Sequence, residues 1–380
     1  MLEKITNFNP QMVKWAREQA HISINSATGK TGLEIKEIED GQLYLNYPEL
    51  RKLAELYNKP LVVFFLPEPP KIKNIKASCR TIPKNVYDEL SPNTIKMIDV
   101  ARFMQLNLYE LHNNLNSNVY KFHFLKDLVD SQEKIREYLN FSFEIQKKIK
   151  KDEEVFKYLR DQLYEIGIFI FKDSFQDEDV SGFCLHDDVF PVIMINNNNT
   201  FTRQIFTIFH ELYHLITGTS GIDFINDDYM YKQYENVSTY AEELKSNQFA
   251  ADILISEQEI RKNINKVEDV SFDSINDVAK KYKVSREVLT RQLFKMKMID
   301  FLDMEEYIYH FRLDYKRINK NKNGGNYYSK QISYLGENYL KIAYERYYQG
   351  NISSRDLTKY VRMNLKSTST LAEYKGWGTV

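Results

Sequence analysis

Apolar residues recur at helical spacing through most of the chain, and this pattern predicts a mainly helical protein. Residues 9–58 are predicted to form several short helices, with Ser23 as an N-cap. Within them, Tyr47–Tyr57 is a clear amphipathic helix. Its apolar positions are Leu50, Leu53, Ala54 and Tyr57. The pair Ser91–Pro92 combines an N-cap with a first-turn proline and predicts a helix that ends near His112.

The pattern changes after Gly167, where short β-rich runs are separated by polar turns. The runs IFIF, SGFCL and PVIMI predict three strands. Helical patterns follow at about Thr202–Thr217 and Thr239–Ile255, and residues 275–298 predict two short helices. The last 80 residues are again helical, with a break at Gly324–Gly325. The predicted fold class is therefore α+β, mostly helical with a small β-sheet.

Composition predicts a cytoplasmic protein with no membrane span and no broad affinity for nucleic acid. The chain has 52 Lys and Arg against 53 Asp and Glu, so its net charge of −1 excludes a polycationic coat. The longest apolar runs, such as Leu61–Leu66, are far too short to cross a membrane, and the N-terminus lacks a secretory signal pattern. Two cysteines, Cys79 and Cys184, cannot build a disulfide framework and indicate a reducing compartment.

The motif His210-Glu211-Leu212-Tyr213-His214 is an H-E-x-x-H sequence inside a helical pattern. Residues four apart lie on the same helix face, so both imidazoles can reach one zinc ion (Zn²⁺). Glu211 follows the first histidine and is placed beside the ion, where it can take a proton from water. The motif therefore predicts metal-assisted hydrolysis, with Glu211 as the general base.

A zinc ion held by two histidines needs a third protein ligand and an open position. The helix predicted at 239–255 contains Glu243 and Asn247, four residues apart on one face. Glu243 is the preferred ligand, and Asn247 can hydrogen-bond a ligating side chain. Glu242 is the nearest alternative but points about 100° away on the same helix. Three further carboxylates remain as alternatives: Glu235, Asp227 and Asp228.

The segments RQIFTIFHELYHLITG and EELKSNQFAADILIS, with the strands before them, resemble the ImmA/IrrE family of metallopeptidases. The resemblance implies a zincin-like domain in which His210, His214 and Glu243 bind zinc and Glu211 is catalytic. Two positions depart from the usual pattern. Tyr213 stands where members often have a small residue, and Ser256 stands where a proline commonly follows the helix.

The resemblance extends beyond the motif and predicts four parts. These are a helix-turn-helix domain of the Cro/repressor type at 1–70, a helical linker at 71–152, the metallopeptidase domain at 153–300 and a helical extension at 301–380. The first part holds eight Lys and Arg against nine Asp and Glu, which is a poor balance for binding DNA. A protein-docking role for this part is therefore the alternative to DNA binding.

We expect a zinc metallopeptidase that cleaves a protein partner, and the resemblance points to a transcriptional repressor or regulator. The alternative is a DNA-binding regulator or antitoxin-like protein whose zinc domain is a sensor or scaffold. A homodimer is also left open. The group that stabilises the oxyanion is not decided by the sequence. Candidates are Arg203, Tyr229, Tyr231, Tyr234 and Tyr240.

Overall fold

The chain divides into two compact units, which are described separately below. One contains Met1–Arg80 and Lys84–Lys96, and the other contains Thr81–Pro83 and Met97–Val380. The structure is a computed structural model. It describes residues 4–5, 7–20, 22–57, 59, 61–68, 90–219, 222–224, 237–318 and 326–378. The four-part division expected from the sequence stays a prediction.

Four helices and a short ribbon make up the described residues of the first unit between Lys4 and Glu68. They are β1 (Lys4–Ile5), α1 (Pro10–Gln19), α2 (Ile24–Thr31), α3 (Ile35–Glu39), β2 (Leu45–Asn46) and α4 (Tyr47–Leu56), followed by a 3₁₀ turn at Leu61–Phe65. The two strands pair antiparallel. Ser23 caps α2 as predicted, because its side chain accepts a hydrogen bond from the Ser26 amide. Asn46 and Glu49 form a capping box at the start of α4.

A buried ion pair joins the first and third helices of this unit. The Nε of Arg17 lies 2.6 Å from Oε1 of Glu39, and its Nη2 lies 2.9 Å from Oε2. The same guanidinium donates to the Ile22 carbonyl at 3.0 Å. A bidentate pair of this kind is geometrically specific, so it sets the position of α3 relative to α1.

Five helices precede the main sheet: α5 (Pro92–Leu111), α6 (Val119–Lys126), α7 (Gln132–Tyr138), α8 (Phe143–Lys148) and α9 (Asp152–Glu165). The sheet contains β3 (Phe169–Asp173), β4 (Val180–Leu185), β5 (Val192–Asn196) and β6 (Ile222–Phe224), in the order β3-β5-β4-β6. Strand β5 is parallel to β3 and antiparallel to β4, and β6 is antiparallel to β4. The three predicted strands are confirmed, whereas β6 was not predicted.

The helices α10 (Phe201–Thr217) and α11 (Val237–Leu254) follow β5 along the chain and pack against each other. Helix α10 also lies directly on β4, and Gly182 makes this approach possible. A Cβ at that position would be 2.6 Å from Cγ2 of Thr207 and 2.8 Å from the Met194 carbonyl. The glycine is therefore required by space between strand and helix.

Eight helices complete the described chain. They are α12 (Glu257–Arg261), α13 (Phe272–Tyr282), α14 (Arg286–Lys295), α15 (Phe301–Ile318), α16 (Tyr327–Leu335), α17 (Glu337–Tyr348), α18 (Ser354–Tyr360) and α19 (Leu365–Lys375). Ser256, where a proline was expected, caps α12 by accepting from the Glu259 amide. Helix α16 packs against β3. The predicted break at Gly324–Gly325 lies outside the described residues.

Helices dominate the described residues and the sheets are small, so the predicted α+β class is confirmed. One large apolar core in the second unit includes side chains from β3, β4, β5, α10 and α11. Across the described ranges, no helix combines the length and the apolar character needed to span a bilayer.

Candidate metal centre

Helix α10 places two histidines inside the core of the second unit. The helix begins at the N-cap Thr200 and ends at Gly218, which takes the left-handed conformation at φ 71°. Every residue from Gln204 to Leu212 is buried, the polar side chains among them included. His210 and His214 are 1% and 0% exposed.

The structure brings both histidines together with Glu243 of α11, which is also 1% exposed. The Nε2 atoms of His210 and His214 lie 3.2 Å apart. Nε2 of His210 is 3.2 Å from one oxygen of Glu243, and Nε2 of His214 is 3.5 Å from the other. This cluster of three donors can hold a metal ion.

The donor separations are close to those between the ligand atoms of a zinc ion, with one oxygen of Glu243 facing each imidazole. Ligand bonds of about 2.0–2.1 Å at a tetrahedral angle place two ligand atoms about 3.3–3.4 Å apart. The observed values of 3.2, 3.2 and 3.5 Å bracket that distance. Two imidazoles and one carboxylate are also the donor types that zinc accepts in catalytic sites. The residues therefore fit the metal that the sequence predicted.

Glu243 is ionised in this setting. Burial raises the pKa of Glu243, but the adjacent His214 and His210 more than offset this and bring it to about 2. An ionised carboxylate is the form that binds a cation.

The alternative ligand, Glu242, faces a different set of groups. It accepts a hydrogen bond from the Tyr213 hydroxyl at 3.2 Å and pairs with Lys245 at 2.6 Å. Tyr213, the residue that departs from the family pattern, therefore links α10 to α11 through this carboxylate. Glu235, Asp227 and Asp228 lie outside the described residues.

Buried polar side chains anchor the end of the helix that carries Glu243. Arg136, 4% exposed, donates to the Ile253 carbonyl at 2.6 Å and to the Gln146 side chain at 2.9 Å. Gln146 in turn donates to the Leu254 carbonyl at 3.0 Å. A cation at the C-terminus of a helix satisfies its last carbonyls and stabilises it. These contacts fix the C-terminal end of α11 against α7 and α8.

The second nitrogen of each histidine also has a partner. Nδ1 of His210 lies 3.0 Å from Oδ1 of Asn247, the contact that the spacing of α11 suggested. Ser246, fully buried, lies 3.3 Å from the same nitrogen and donates to the Glu243 carbonyl. Nδ1 of His214 lies 3.0 Å from Oγ1 of Thr219. With the Nδ1 atoms engaged elsewhere, the Nε2 atoms face the shared site.

Glu211 is fully buried and lies next to a thiol that the sequence did not single out for the site. Burial raises the pKa of Cys184, and the negative charge of Glu211 raises it further. His186, just after the end of β4, lies 3.9 Å from the Cys184 sulfur. Alternation along β4 puts Gly182 and Cys184 on one face, which is the signal that could have identified the thiol.

Of the five candidate residues for stabilising the oxyanion, the structure describes the side chain of Arg203 alone. Arg203 donates from Nε to the Ser181 hydroxyl of β4 at 2.9 Å and lies over the Phe206 ring. The side chain of Tyr240 and all of Tyr229, Tyr231 and Tyr234 lie outside what the structure describes. The role of these five residues therefore stays a prediction.

Comparison with known families supports the chemistry suggested by this geometry. Residues 164–294 match the family model of peptidase M78, the IrrE N-terminal-like domain. The matched segment runs from the last turn of α9 to α14 and contains the main sheet and both site helices. It supports the ImmA/IrrE resemblance for this domain and implies protease activity in the broad sense. No curated protein and no solved structure matches the chain.

Proposed function

We propose that the chain is a zinc-dependent endopeptidase that cleaves a specific protein partner, a transcriptional repressor or regulator. The observation that carries the proposal is the set of donor separations, 3.2, 3.2 and 3.5 Å, among three fully buried side chains. The match to a peptidase family supports hydrolysis of a peptide bond. The repressor as substrate class comes from the family resemblance.

In this proposal His210, His214 and Glu243 hold the ion. Zinc, when bound, lowers the pKa of a water molecule and polarises the carbonyl of the scissile peptide. Glu211 takes the proton from the attacking water and passes it to the leaving amine. Because Glu211 is fully buried on α10, beside Cys184, the proton moves within a site that is shielded from bulk water.

Glu211→Gln is the decisive substitution, because it keeps the size of the side chain and removes the base. Cleavage of a coexpressed partner should fall by at least about 100-fold, while about one zinc per chain stays bound. Metal content is measured by elemental analysis of purified protein, and cleavage by mass spectrometry of the partner. A variant that cleaves at the wild-type rate would show that Glu211 is not the base.

Glu243→Gln and Glu242→Gln form a matched pair for the third ligand. The first should lose zinc, because it removes a buried anionic ligand. The second should keep zinc, since Glu242 is bound to Tyr213 and Lys245. Full zinc content in the Glu243 variant, or loss of zinc only in the Glu242 variant, would move the third ligand to another residue.

We also propose that the first unit is a helix-turn-helix-type module that docks a protein. Its third helix and the two residues that cap it carry exposed Glu34, Lys36, Glu37 and Asp40, three carboxylates against one amine. Phosphate contacts need an excess of positive charge, so this face is poorly suited to the DNA backbone. We therefore expect no mobility shift of double-stranded DNA at low salt. A shift that weakens as salt is raised would favour the DNA-binding regulator instead.

A further inference from the structure

We propose that Thr219, together with Thr217 and His186, forms a set of positioning residues that holds His214 with its Nε2 lone pair towards the metal site. The inference rests on the proposed function, because it assigns His214 as a ligand. It adds three residues that neither the sequence motif nor the family match assigns. None of the three touches the site itself, so each acts through His214.

The direction of the hydrogen bonds follows from a chain of donors. Thr217 donates its hydroxyl proton to the Tyr213 carbonyl at 2.9 Å. The Thr219 hydroxyl lies 2.7 Å from that of Thr217, whose proton is already used, so Thr219 must be the donor. The Thr219 oxygen is then an acceptor for the Nδ1–H of His214 at 3.0 Å.

A proton on Nδ1 leaves the Nε2 of neutral His214 with its lone pair. That Nε2 faces His210 at 3.2 Å and Glu243 at 3.5 Å, which is the direction of the metal site. The hydroxyl chain therefore selects the tautomer that can bind a metal.

The backbone of Thr219 is held in place from the opposite side. Nε2 of His186 lies 2.6 Å from the Thr219 carbonyl. A carbonyl only accepts, so His186 is the donor. Gly218 ends α10 with φ 71°, and this turn lets the Thr219 hydroxyl return to the imidazole of His214. Thr219 is thus fixed by its carbonyl and by its hydroxyl, at the junction between β4 and the end of α10.

The other ligand histidine has an equivalent acceptor, which supports the reading. Nδ1 of His210 lies 3.0 Å from Oδ1 of Asn247. Each of the two imidazoles therefore has one acceptor for its Nδ1–H: an amide on α11 and a threonine hydroxyl just after α10. Acceptors of this kind orient ligating histidines and raise their basicity.

The test reads the tautomer directly, by long-range ¹⁵N–¹H spectra of histidine-labelled, metal-free protein at a pH high enough for the His214 ring to be neutral, which its two ¹⁵N shifts report. Seven histidines give few signals, and His214→Gln identifies the one of interest. We expect a protonated, slowly exchanging Nδ1 on His214 in the wild type. Thr219→Val keeps the shape of the side chain and removes the acceptor, so this protection should be lost. Thr219→Ser should restore it.

Zinc affinity, measured by competition with a chromophoric chelator, is the second readout. Thr219→Val should weaken binding by about 10–100-fold, and His186→Phe should weaken it in the same direction. His186→Gln keeps a donor and should recover part of the loss. Thr370→Val is the control for a threonine-to-valine change, because Thr370 on α19, like Thr217, donates to the carbonyl four residues earlier but lies on another helix. That control should change neither readout.

Two results would overturn the inference. One is an unprotonated Nδ1 on His214 in the wild type, and the other is Thr219→Val with wild-type protection and zinc affinity. If Thr219→Val does not fold, Thr217→Val replaces it in both measurements, since Thr217 is exposed and its substitution disturbs no core packing. The tautomer is read without metal, so it decides the inference even if the wild type binds no zinc and the proposed function fails.

Discussion

Lys172 carries a charge into the core of the second unit, and its replacement should change how stability depends on pH. The side chain is 1% exposed on β3. Its amine donates to the Gln204 side chain at 3.0 Å and lies 4.6 and 4.8 Å from the rings of Phe156 and Phe201. Burial lowers the pKa of Lys172 to about 7, and the positive charge of Arg160 contributes to the decrease.

The size of the effect follows from the difference between the pKa of Lys172 in the folded chain and its pKa in the unfolded chain. A pKa of about 7 in the folded chain, against 10.5 for an ordinary lysine, corresponds to about 5 kcal/mol at about 1.4 kcal/mol per pH unit. Between these two values the unfolded chain holds a proton that the folded chain has released. The free energy of unfolding therefore rises with pH in this window, by about 1.4 kcal/mol per unit. Below pH 7 both states are protonated and the contribution levels off.

Lys172→Met replaces the amine with an apolar side chain and should abolish this slope. Loss of the donor to Gln204 costs about 1–3 kcal/mol. The variant should still be more stable than the wild type by about 2–4 kcal/mol at pH 7, since the cost of the buried charge is larger than that of the lost hydrogen bond. Urea unfolding followed by circular dichroism from pH 6 to 9.5 measures both quantities. Lys341→Met, at a side chain that is 62% exposed, is the control and should run parallel to the wild type.

A direct titration supports the unfolding data. In ¹³C spectra of protein labelled at the lysine ε-carbon, the signal that disappears in Lys172→Met should titrate near pH 7. The explanation is wrong if the free energies of unfolding of the wild type and Lys172→Met change in parallel from pH 7 to 9.5. It is also wrong if the Lys172 signal titrates near 10.5.

Two further predictions concern acid stability and the contact between strand and helix. Burial raises the pKa of Glu259, but hydrogen bonds, first from Lys262, more than offset this and lower the pKa from 4.5 to about 2. The stability that the ionised Glu259 contributes is therefore lost as the pH falls from about 4.5 to about 2. Glu259→Gln should flatten this acid limb in unfolding curves, and an unchanged limb would contradict the assignment. Gly182→Ala should destabilise the second unit by about 1–3 kcal/mol in thermal unfolding, because its methyl group meets Thr207 at 2.6 Å. Gly29→Ala, where an added Cβ meets no atom within 4 Å, should show no such loss.

The helices and three of the four strands of the main sheet could be predicted because their signals are local. Helical periodicity predicted Thr202–Thr217 and Thr239–Ile255, close to the observed α10 and α11. Strand β6 was missed because Ile222–Phe224 is too short to show alternation. The burial of Lys172 could not be foreseen either. It depends on the rings of α9 and α10 that surround the amine, and these meet only in the folded chain.

In the candidate site too, some residues could be predicted from local sequence patterns and others could not. His210 and His214 are one helical turn apart, so their shared face is readable from spacing alone. Glu243 could be ranked above Glu242 only with help from helix geometry, and the contacts of each became visible in the structure. Thr219 is hydrogen-bonded to His186, which lies 33 residues earlier, just after β4. No local pattern connects two such residues, because their contact requires the sheet and the end of α10 to be assembled first.

Charge balance explains why the proposed base lies as deep as the ligands. Glu211 and Glu243 are 0% and 1% exposed, and buried carboxylates are costly unless opposite charge compensates them. With zinc bound, both imidazoles would be neutral, so one divalent cation would balance the two carboxylates. In the proposed reaction Glu211 gains a proton as the scissile carbonyl becomes an oxyanion. One negative charge is therefore neutralised as another forms a short distance away, and the net charge of the buried site is unchanged through the step. A base in contact with bulk water would not need this compensation. In a core shielded from water, the compensation avoids an increase in the activation barrier of the hydrolytic step.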